Sequence, residues 1–306
     1  MSIRKVNDYI YMIDLKPANV EGFISSYIVL GKEKAIIETG PISTVNNLLE
    51  GLKDLNVNFE DIAYLMVSHI HLDHGGGAGK LLQHMPNAKL IVHPRGIPHL
   101  INPEKLWSQA KQVLGKIAEI YGEPLPVSES RMMAAKDNMQ IDLGGGVEIQ
   151  VIETLGHASH HVSYYDKKSG ALFPGDTAGI YVEKLDVVLP TTPPLLFLPK
   201  IFESLDKLVT FNPKILCYTH FGVARDAVKK LEAYKKQLKL WASVIQEGLK
   251  NGEKIEAIAQ RVVECDSAVK AAMEYFGNMN HPIMNFEMLM RDIQGFIAYF
   301  EKYGLG

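Results

Sequence analysis

A dense group of histidines with one aspartate is the feature that most constrains this chain. Residues 69–77 read His-Ile-His-Leu-Asp-His-Gly-Gly-Gly, directly after a mainly apolar run at residues 63–68 that predicts a buried strand. The motif H-x-H-x-D-H comprises His69, His71, Asp73 and His74. Neutral imidazole nitrogens and carboxylate oxygens are the ligands that Zn²⁺ or Fe²⁺ takes in proteins. Because four such ligands within six residues cannot all reach one ion, the motif predicts two adjacent ions.

Three later apolar segments each deliver one further candidate ligand into a loop. They are His157 after residues 147–154, Asp176 after residues 171–173, and His220 at the end of residues 214–219. In open α/β sheets, sites usually form at the carboxyl ends of the strands. We therefore expect these side chains to meet the histidine motif at one edge of a sheet.

The pattern of apolar residues divides the chain in two. Short strands alternate with helical segments up to residue 222, which is typical of an α/β or layered α+β fold. Residues 97–121 are expected to form a helix and residues 122–133 a loop. Four amphipathic helices are then predicted at residues 226–250, 255–263, 267–276 and 286–303. We expect a β-rich catalytic domain at residues 1–222 and a helical C-terminal subdomain at residues 223–306.

Charge, cysteine content and hydropathy exclude several classes of protein. The 32 basic and 35 acidic residues give a net charge of −3, which gives no reason to expect a nucleic acid partner. Two cysteines, Cys217 and Cys265, cannot form a disulfide framework and suit a reducing compartment. The first residues form no secretory signal, and no apolar run reaches the length of a membrane span. We therefore expect a cytoplasmic protein with no membrane partner.

Five motifs, in order along the chain, resemble the metallo-β-lactamase-fold superfamily. They lie at residues 36–40, 69–74, 156–157, 175–176 and 219–220. The resemblance implies an α+β fold, an αββα sandwich followed here by the helical subdomain, with a dinuclear site at the sheet edges. It assigns His69, His71 and His157 to one metal and Asp73, His74 and His220 to the other. Asp176 would bridge the two ions.

Two motifs depart from the usual family pattern. Glu38 stands where the family usually has Asp, a residue that supports the histidine loop without binding metal. The third motif reads Gly-His-Ala-Ser-His-His, and its His161 falls on a second family histidine that also supports the site. We expect His160 to have only a packing or surface role.

The resemblance implies a metal-dependent hydrolase in which a metal-bridging hydroxide attacks an ester, thioester or lactone-type substrate. Asp73 would orient the hydroxide and is the expected catalytic residue besides its role as a ligand. The glycines at residues 75–77 and the helical extension resemble glyoxalase II-like thioester hydrolases. The expected cofactors are two divalent metal ions, Zn²⁺ first, with Fe or Mn as alternatives.

Other activities stay open at this point. A mononuclear iron enzyme similar to persulfide dioxygenases uses part of the same ligand set, and a phosphodiesterase or nuclease shares the histidine motif. A member that binds ligands without catalysis is a further alternative, although all seven ligands are intact. Substrate identity and oligomeric state are not indicated, and a homo-oligomer stays open.

A methionine-rich run at residues 281–290 points to the substrate. Ordinary helix core explains such a run on spacing alone, but a wall over the metal cleft is the functional alternative. We therefore predict substrate-binding roles for Phe23, Ile24, His281 and Met284. The expected substrate is a small molecule that is mainly apolar or carries an acyl group.

Overall fold

The computed structural model describes residues 2–305 and contains two mixed β-sheets packed face to face, with helices on the outer sides. The sequence prediction of an αββα sandwich followed by C-terminal helices is confirmed.

The first sheet contains seven strands in the order of the chain. They are β1 (Ile3–Lys5), β2 (Ile10–Asp14), β3 (Ser25–Leu30), β4 (Lys34–Ile37), β5 (Ile62–Met66), β6 (Lys89–Val92) and β7 (Met132–Ala134). The first four pair antiparallel, and β4 to β7 pair parallel. The carboxyl ends of β4, β5 and β6 therefore meet at one edge of the sheet.

The second sheet contains six strands in the order β15-β14-β11-β10-β9-β8. The strands from residue 140 onward are β8 (Gln140–Asp142), β9 (Glu148–Glu153), β10 (Val162–Asp166), β11 (Ala171–Phe173), β12 (Ile180–Val182), β13 (Val187–Leu189), β14 (Ile215–Tyr218) and β15 (Gly222–Ala224). β12 and β13 form a separate hairpin. Because β11 and β14 run parallel, the loops after both strands emerge at the same edge.

An apolar layer holds the two sheets together. It includes Tyr27, Ile37 and Met66 from the first sheet and Val151, Tyr164 and Phe173 from the second. The Tyr27 hydroxyl donates to the Tyr218 carbonyl at 2.6 Å, and the Tyr164 hydroxyl donates to the Val67 carbonyl at 2.8 Å. Each bond ties a side chain of one sheet to the backbone at the end of a strand in the other. These bonds fix the two edges from which the candidate ligands emerge.

Eleven helices cover the sheets within residues 2–305. They are α1 (Val45–Asp54), α2 (Leu72–Gly75), α3 (Ala78–His84), α4 (Ile97–Ile101), α5 (Glu104–Leu114), α6 (Lys116–Tyr121), α7 (Leu198–Thr210), α8 (Ala227–Lys250), α9 (Ile255–Cys265), α10 (Ser267–Asn278) and α11 (Phe286–Tyr303). In the C-terminal part, the buried Trp241 of α8 donates its indole N–H to Asp266 Oδ2 at 2.9 Å. The other oxygen of Asp266 caps α10, so one carboxylate joins two helices.

The C-terminal helices continue the core of the sandwich. One apolar cluster includes Leu48 of α1, Leu205 of α7, Trp241 of α8 and Phe296 of α11. The second sheet extends to Ala224, two residues past the predicted boundary at 222. The division into domains at residues 1–222 and 223–306 stays a prediction.

Several elements differ from the sequence expectations. The single helix expected at residues 97–121 is three helices, because Pro103 and Gly115 interrupt it and Gly115 has a φ of +55°. Strand β10, the β12–β13 hairpin and helix α7 were not expected. α7 begins directly after a proline-rich segment and has Pro199 in its first turn, where a missing N–H costs no helical hydrogen bond. Among the described residues, none of the helices has the length and apolarity that a membrane span requires.

Candidate metal centre

The seven predicted metal ligands converge on one edge of the sandwich. They are His69 and His71 after β5, Asp73 and His74 in α2, His157 after β9, Asp176 after β11 and His220 after β14. Their ligating atoms form three overlapping groups, and within each group all atoms lie within 4.8 Å of one another. The structure therefore places all seven residues at one edge, as the strand ends in the sequence predicted.

One half of the cluster, here called the imidazole half, consists of His69, His71 and His157. The Nε2 atom of His69 lies 2.8 Å from Nδ1 of His71, and Nε2 of His157 lies 3.3 Å from the same atom. His69 and His157 are buried, with 0% and 2% of their surface exposed. Three imidazole nitrogens this close together form a ligand set that suits Zn²⁺.

The other half, here called the mixed half, consists of Asp73, His74 and His220. The Nε2 atom of His220 lies 3.5 Å from Oδ2 of Asp73, and the rings of His74 and His220 are 5.2 Å apart. This half therefore offers a carboxylate oxygen together with two imidazole nitrogens.

Asp176 stands between the two halves. Its Oδ2 atom lies 3.4 Å from Nε2 of His157, whereas its Oδ1 atom lies 3.2 Å from Nε2 of His74 and 3.7 Å from Nε2 of His220. Each oxygen of one carboxylate thus faces a different half. This is the arrangement that a bridging ligand needs.

Outer hydrogen bonds orient the histidine rings toward the cluster. Nδ1 of His69 lies 3.0 Å from the Ser68 hydroxyl, and Nδ1 of His157 lies 3.1 Å from the Thr191 carbonyl oxygen. When Nδ1 of His157 donates to that carbonyl, Nε2 carries the lone pair that points into the cluster. The Thr191 carbonyl therefore favours the tautomer of His157 that a metal ligand needs, and the Ser68 hydroxyl orients the ring of His69.

Buried polar atoms without partners are a further sign that the cluster fits metal ions. Nε2 of His74 and Oδ1 of Asp176 lie close together but outside hydrogen-bond geometry, and no group within residues 2–305 hydrogen-bonds to either atom. Buried polar atoms are normally hydrogen-bonded, so an unpartnered pair in a cluster of ligands calls for a cation. The donor set and these atoms fit divalent metal ions.

Glu38 connects three parts of the centre from behind. Its Oε1 atom lies 3.1 Å from Nδ1 of His74 and accepts from the Thr219 hydroxyl at 3.3 Å, while Oε2 accepts from the Ser68 N–H at 3.2 Å. Glu38 has a φ of +66°, a region that non-glycine residues rarely adopt. The Glu38 side chain thus contacts the histidine loop and the segment before His220 at the same time, in line with the supporting role that the family resemblance implies.

His161 lies behind Asp176 and does not face the cluster centre. Its Nε2 atom accepts from the Asp176 N–H at 3.1 Å, and its Nδ1 atom lies 2.9 Å from the Thr154 hydroxyl. Gly175, with a φ of +54°, allows this approach, because a Cβ there would lie 2.6 Å from the His161 ring nitrogen. His161 thus holds the backbone that presents the carboxylate of Asp176 to the cluster.

The two halves differ in protonation. Burial, together with the neighbouring imidazoles, lowers the pKa of His69 and of His71 well below the ordinary value. Burial would also lower the pKa of His74, but the carboxylates of Asp176 and Glu38 outweigh it and raise this pKa well above the ordinary value. In the metal-free protein these shifts favour neutral imidazoles at His69 and His71 and a protonated His74, whose proton a metal ion would displace.

A cavity of about 430 Å³ opens onto the centre. Its floor contains His71, Asp73, His157, Asp176 and His220. Its apolar wall includes Phe23, Leu106, Ala110, Val113, Ile117 and Met288. Helices α5, α6 and α11 therefore roof the cluster, and the roof includes part of the methionine-rich run that suggested a substrate wall.

Of the four predicted substrate-binding residues, Phe23 lines this cavity. Ile24 and Met284 are 0% and 1% exposed and belong to the core, so their predicted place in the wall is corrected. Ile24 follows Phe23 directly and its side chain packs in the core. His281 lies behind Phe23, with ring centroids 5.2 Å apart, and its Nδ1 accepts from the N–H groups of Ile283 and Met284.

Sequence reasoning missed several residues of the cavity. His160, expected to have a packing or surface role, is partly buried and lines the wall. Tyr121, Arg291 and Asp292 also line it, although no motif marks them. Burial raises the pKa of the Tyr121 hydroxyl well above its ordinary value, so this group stays protonated. Amphipathic spacing was the only sequence signal for the place of α5, α6 and α11 in the cavity wall. Such spacing does not distinguish a cavity wall from a core.

The αββα sandwich with a His/Asp cluster at its strand ends defines a metallohydrolase fold. The chain belongs to the metallo-beta-lactamase superfamily, whose family model matches residues 19–220. The family predicted from the five motifs is therefore confirmed.

Two relatives show how far the similarity extends. Metallo-beta-lactamase fold-containing protein ST1585 from Sulfurisphaera tokodaii is 29% identical over 234 residues, covering 75% of this chain and 84% of the relative. Its solved structure has a TM-score of 0.66. The structure of metallo-beta-lactamase family protein TTHA1429 from Thermus thermophilus covers 97% of this chain and 95% of its own, at 18% identity and a TM-score of 0.70. The similarity of fold between these two chains therefore extends through the C-terminal helices.

A third relative, a hydroxyacylglutathione hydrolase from Idiomarina loihiensis, is 29% identical over 163 residues, which is 52% of this chain and 49% of that protein.

Proposed function

We propose that this chain is a dinuclear metal-dependent hydrolase that cleaves an ester, thioester or lactone-type bond in a small molecule. The observation that carries the proposal is the position of Asp176, whose two oxygens lie 3.4 Å from His157 and 3.2 Å from His74. A carboxylate between two sets of three ligands suits two ions side by side. The imidazole-rich set favours Zn²⁺, with Fe or Mn as alternatives.

Bound divalent ions would lower the pKa of water toward neutrality and polarise the bond that is attacked. The chain itself must orient that water, and Asp73 is the residue proposed for this role. The Asp73 side chain is 18% exposed, whereas that of Asp176 is 5% exposed. Because Asp73 also lines the cavity, its carboxylate can accept a hydrogen bond from water on the substrate side.

The cavity supports a substrate with an apolar acyl part. Phe23, Val113 and Met288 contribute apolar wall above the cluster, so burial of hydrocarbon would favour binding. One relative bears the name hydroxyacylglutathione hydrolase, which supports including acylated thiols among the substrates to be tested.

The complete set of three candidate ligands in the mixed half favours a centre with two ions over a centre with one. With a single ion in the imidazole half, His74 and His220 would stay buried beside Asp73 without a ligand role. The experiment below separates this proposal from a mononuclear iron dioxygenase, a phosphodiesterase and a non-catalytic binder. Cytoplasmic location stays a prediction, and the oligomeric state stays open.

The test is reconstitution of the metal-free protein with Zn²⁺, Mn²⁺ or Fe²⁺, followed by assay on thioesters, esters, lactones and phosphodiesters. We expect hydrolysis of acyl compounds in the Zn²⁺ form, a KM that falls as the acyl chain lengthens, and loss of kcat in Asp73→Asn. The exposed Asp54→Asn serves as the matched control. Turnover of phosphodiesters alone, oxygen consumption by the Fe²⁺ form, or no turnover with two zinc ions bound would each overturn the proposal.

A further inference from the structure

We propose that the C-terminal helix α11 positions the metal ligand His157, through a hydrogen-bonded relay that runs from Asp292 across the peptide group between Thr191 and Thr192. The inference rests on the proposed function, since it assumes that His157 binds metal. It makes Asp292 a positioning residue of the metal centre, although Asp292 lies 135 residues after His157.

The relay passes through a single peptide plane. The Thr191 carbonyl oxygen accepts from Nδ1 of His157 at 3.1 Å, and the N–H on the other side of the same peptide bond, that of Thr192, donates to Oδ1 of Asp292 at 2.7 Å. Because a peptide group is planar and rigid, fixing its N–H also fixes the direction of its C=O. A donor–acceptor chain of this kind also polarises each of its bonds in the same sense.

A second bond keeps Thr192 and α11 in place. The Thr192 hydroxyl donates to the backbone carbonyl of Asp292 at 2.8 Å. Thr192 is 0% exposed and Asp292 is 7% exposed, so water does not compete effectively for these groups. The loop that orients His157 is thus attached to α11 by two buried hydrogen bonds at one residue.

Gly295 allows α11 to approach the loop this closely. A Cβ atom at Gly295 would lie 1.8 Å from the Thr192 carbonyl oxygen, so any side chain would push the helix away. Gly295 lies three residues after Asp292, close to one helical turn along the same face. The glycine and the carboxyl group therefore act on the same short segment of loop.

The carboxyl group acts here as a hydrogen-bond acceptor, which an amide oxygen can replace. Burial raises the pKa of Asp292 to about 7, so the group is often neutral at physiological pH and its carbonyl oxygen still accepts. The relay therefore predicts that Asp292→Asn keeps the orientation of His157, whereas Asp292→Ala loses it. Loss of a group that orients a metal-binding histidine typically weakens metal affinity by about 10–100-fold.

The experiment measures zinc affinity of the full-length protein by competition with a chromophoric chelator. We expect Asp292→Ala to weaken one of the two zinc affinities by roughly 10–100-fold and Asp292→Asn to change it by less than about threefold. Gln294→Ala, on the exposed face of the same helix, is the matched control and should match wild type. Gly295→Ala should reproduce the loss without removing either hydrogen-bonding group.

Hydrogen exchange on the metal-free wild-type protein is a second test, and it does not depend on whether any variant folds. The Thr192 amide should be among the slowly exchanging amides, and exchange as fast as in an exposed loop would overturn the relay. Equal zinc affinity of folded Asp292→Ala and wild type would also overturn it while leaving the proposed function intact. Failure of the wild-type protein to bind zinc would instead overturn both.

Discussion

The imidazole half and the mixed half of the cluster are built from different chemistry. In the imidazole half, His69 and His157 are supported by neutral groups, the Ser68 hydroxyl and the Thr191 carbonyl. In the mixed half, His74 is supported by the carboxylate of Glu38. Metal binding in the imidazole half thus depends on how neutral imidazole rings are oriented. Metal binding in the mixed half depends on buried negative charge.

Because of this difference, the two ions should respond differently to the same substitution. Imidazoles whose pKa values are already low are ready to bind metal near neutral pH, whereas His74 must first lose a proton that its carboxylates stabilise. Substitutions that alter charge should therefore act mainly on the mixed half. Substitutions that alter ring orientation should act mainly on the imidazole half.

The largest effect is expected at Asp176, the residue that both halves share. Asp176→Ala should reduce kcat by about 10³-fold or more, because a bridging ligand helps to hold both ions and these supply several kcal/mol of stabilisation to the transition state. Metal analysis should find fewer than two ions per chain, with far-UV circular dichroism unchanged. Wild-type kcat with two bound ions would show that Asp176 is not a bridge.

Single ligand substitutions should separate the halves. His71→Ala removes a ligand from the imidazole half and His220→Ala removes one from the mixed half, so each should lower bound zinc from about two ions to about one. In Co²⁺-substituted protein, the absorption spectrum of the remaining ion should differ between the two variants. Identical spectra, or loss of both ions in each variant, would mean that the halves are not independent.

A smaller and one-sided effect is expected at Glu38. In Glu38→Gln the amide oxygen can still accept from the Ser68 N–H, which places the amide N–H₂ against Nδ1 of His74, so metal affinity of the mixed half should fall by about 10–100-fold. The affinity of the imidazole half should stay within about threefold of wild type. Stepwise zinc titration distinguishes the two affinities. An equal fall in both would mean that Glu38 supports the two halves alike.

Asp292, which holds the loop that orients His157, should affect how the stability of the protein depends on pH. The pKa of Asp292 is raised from 3.8 to about 7 in the folded protein, so between these values the folded chain holds a proton that the unfolded chain has released. Stability from this group is therefore greatest near pH 4 and falls as pH rises to 7. Asp292→Asn removes the titration, and its stability relative to wild type should rise by at most about 4 kcal/mol across that window.

Urea unfolding of the metal-free proteins at about pH 4.5 and about pH 7.5 measures this change. Other titrating groups are common to both proteins and cancel in the difference. A difference between variant and wild type that is the same at both pH values would mean that Asp292 has an ordinary pKa.

The smallest effect is expected at His160. This residue lines the cavity but belongs to neither ligand set, so His160→Ala should leave two zinc ions bound and change kcat by less than about threefold. A change in KM for the preferred acyl substrate is compatible with its place in the wall. Loss of an ion would place His160 inside the imidazole half.

The position of the cluster was predictable because most of its residues come directly after apolar strands, and the ends of neighbouring strands meet at one edge of a sheet. His157, Asp176 and His220 could be picked out in this way although they are far apart in the chain. The supporting roles proposed for Glu38 and His161 followed from the family resemblance, and both residues contact the ligands from behind.

The surroundings of the cluster were not predictable in the same way. The Thr191 carbonyl carries no side-chain signal, and the link to Asp292 through Thr192 joins residues 100 positions apart. Ile24 and Met284 were placed in the wall on apolar character, which does not tell a cavity from a core. α7 was not predicted, although the proline in its first turn is well accommodated there.

Zinc-edge anomalous diffraction from crystals of the zinc-loaded protein can show whether two ions lie side by side in the cluster. Two peaks should lie about 3.5–4 Å apart, one among His69, His71 and His157 and the other among Asp73, His74 and His220. Asp176 should contact both. A single peak at the fully loaded centre, or peaks that lie away from these residues, would contradict a dinuclear hydrolase.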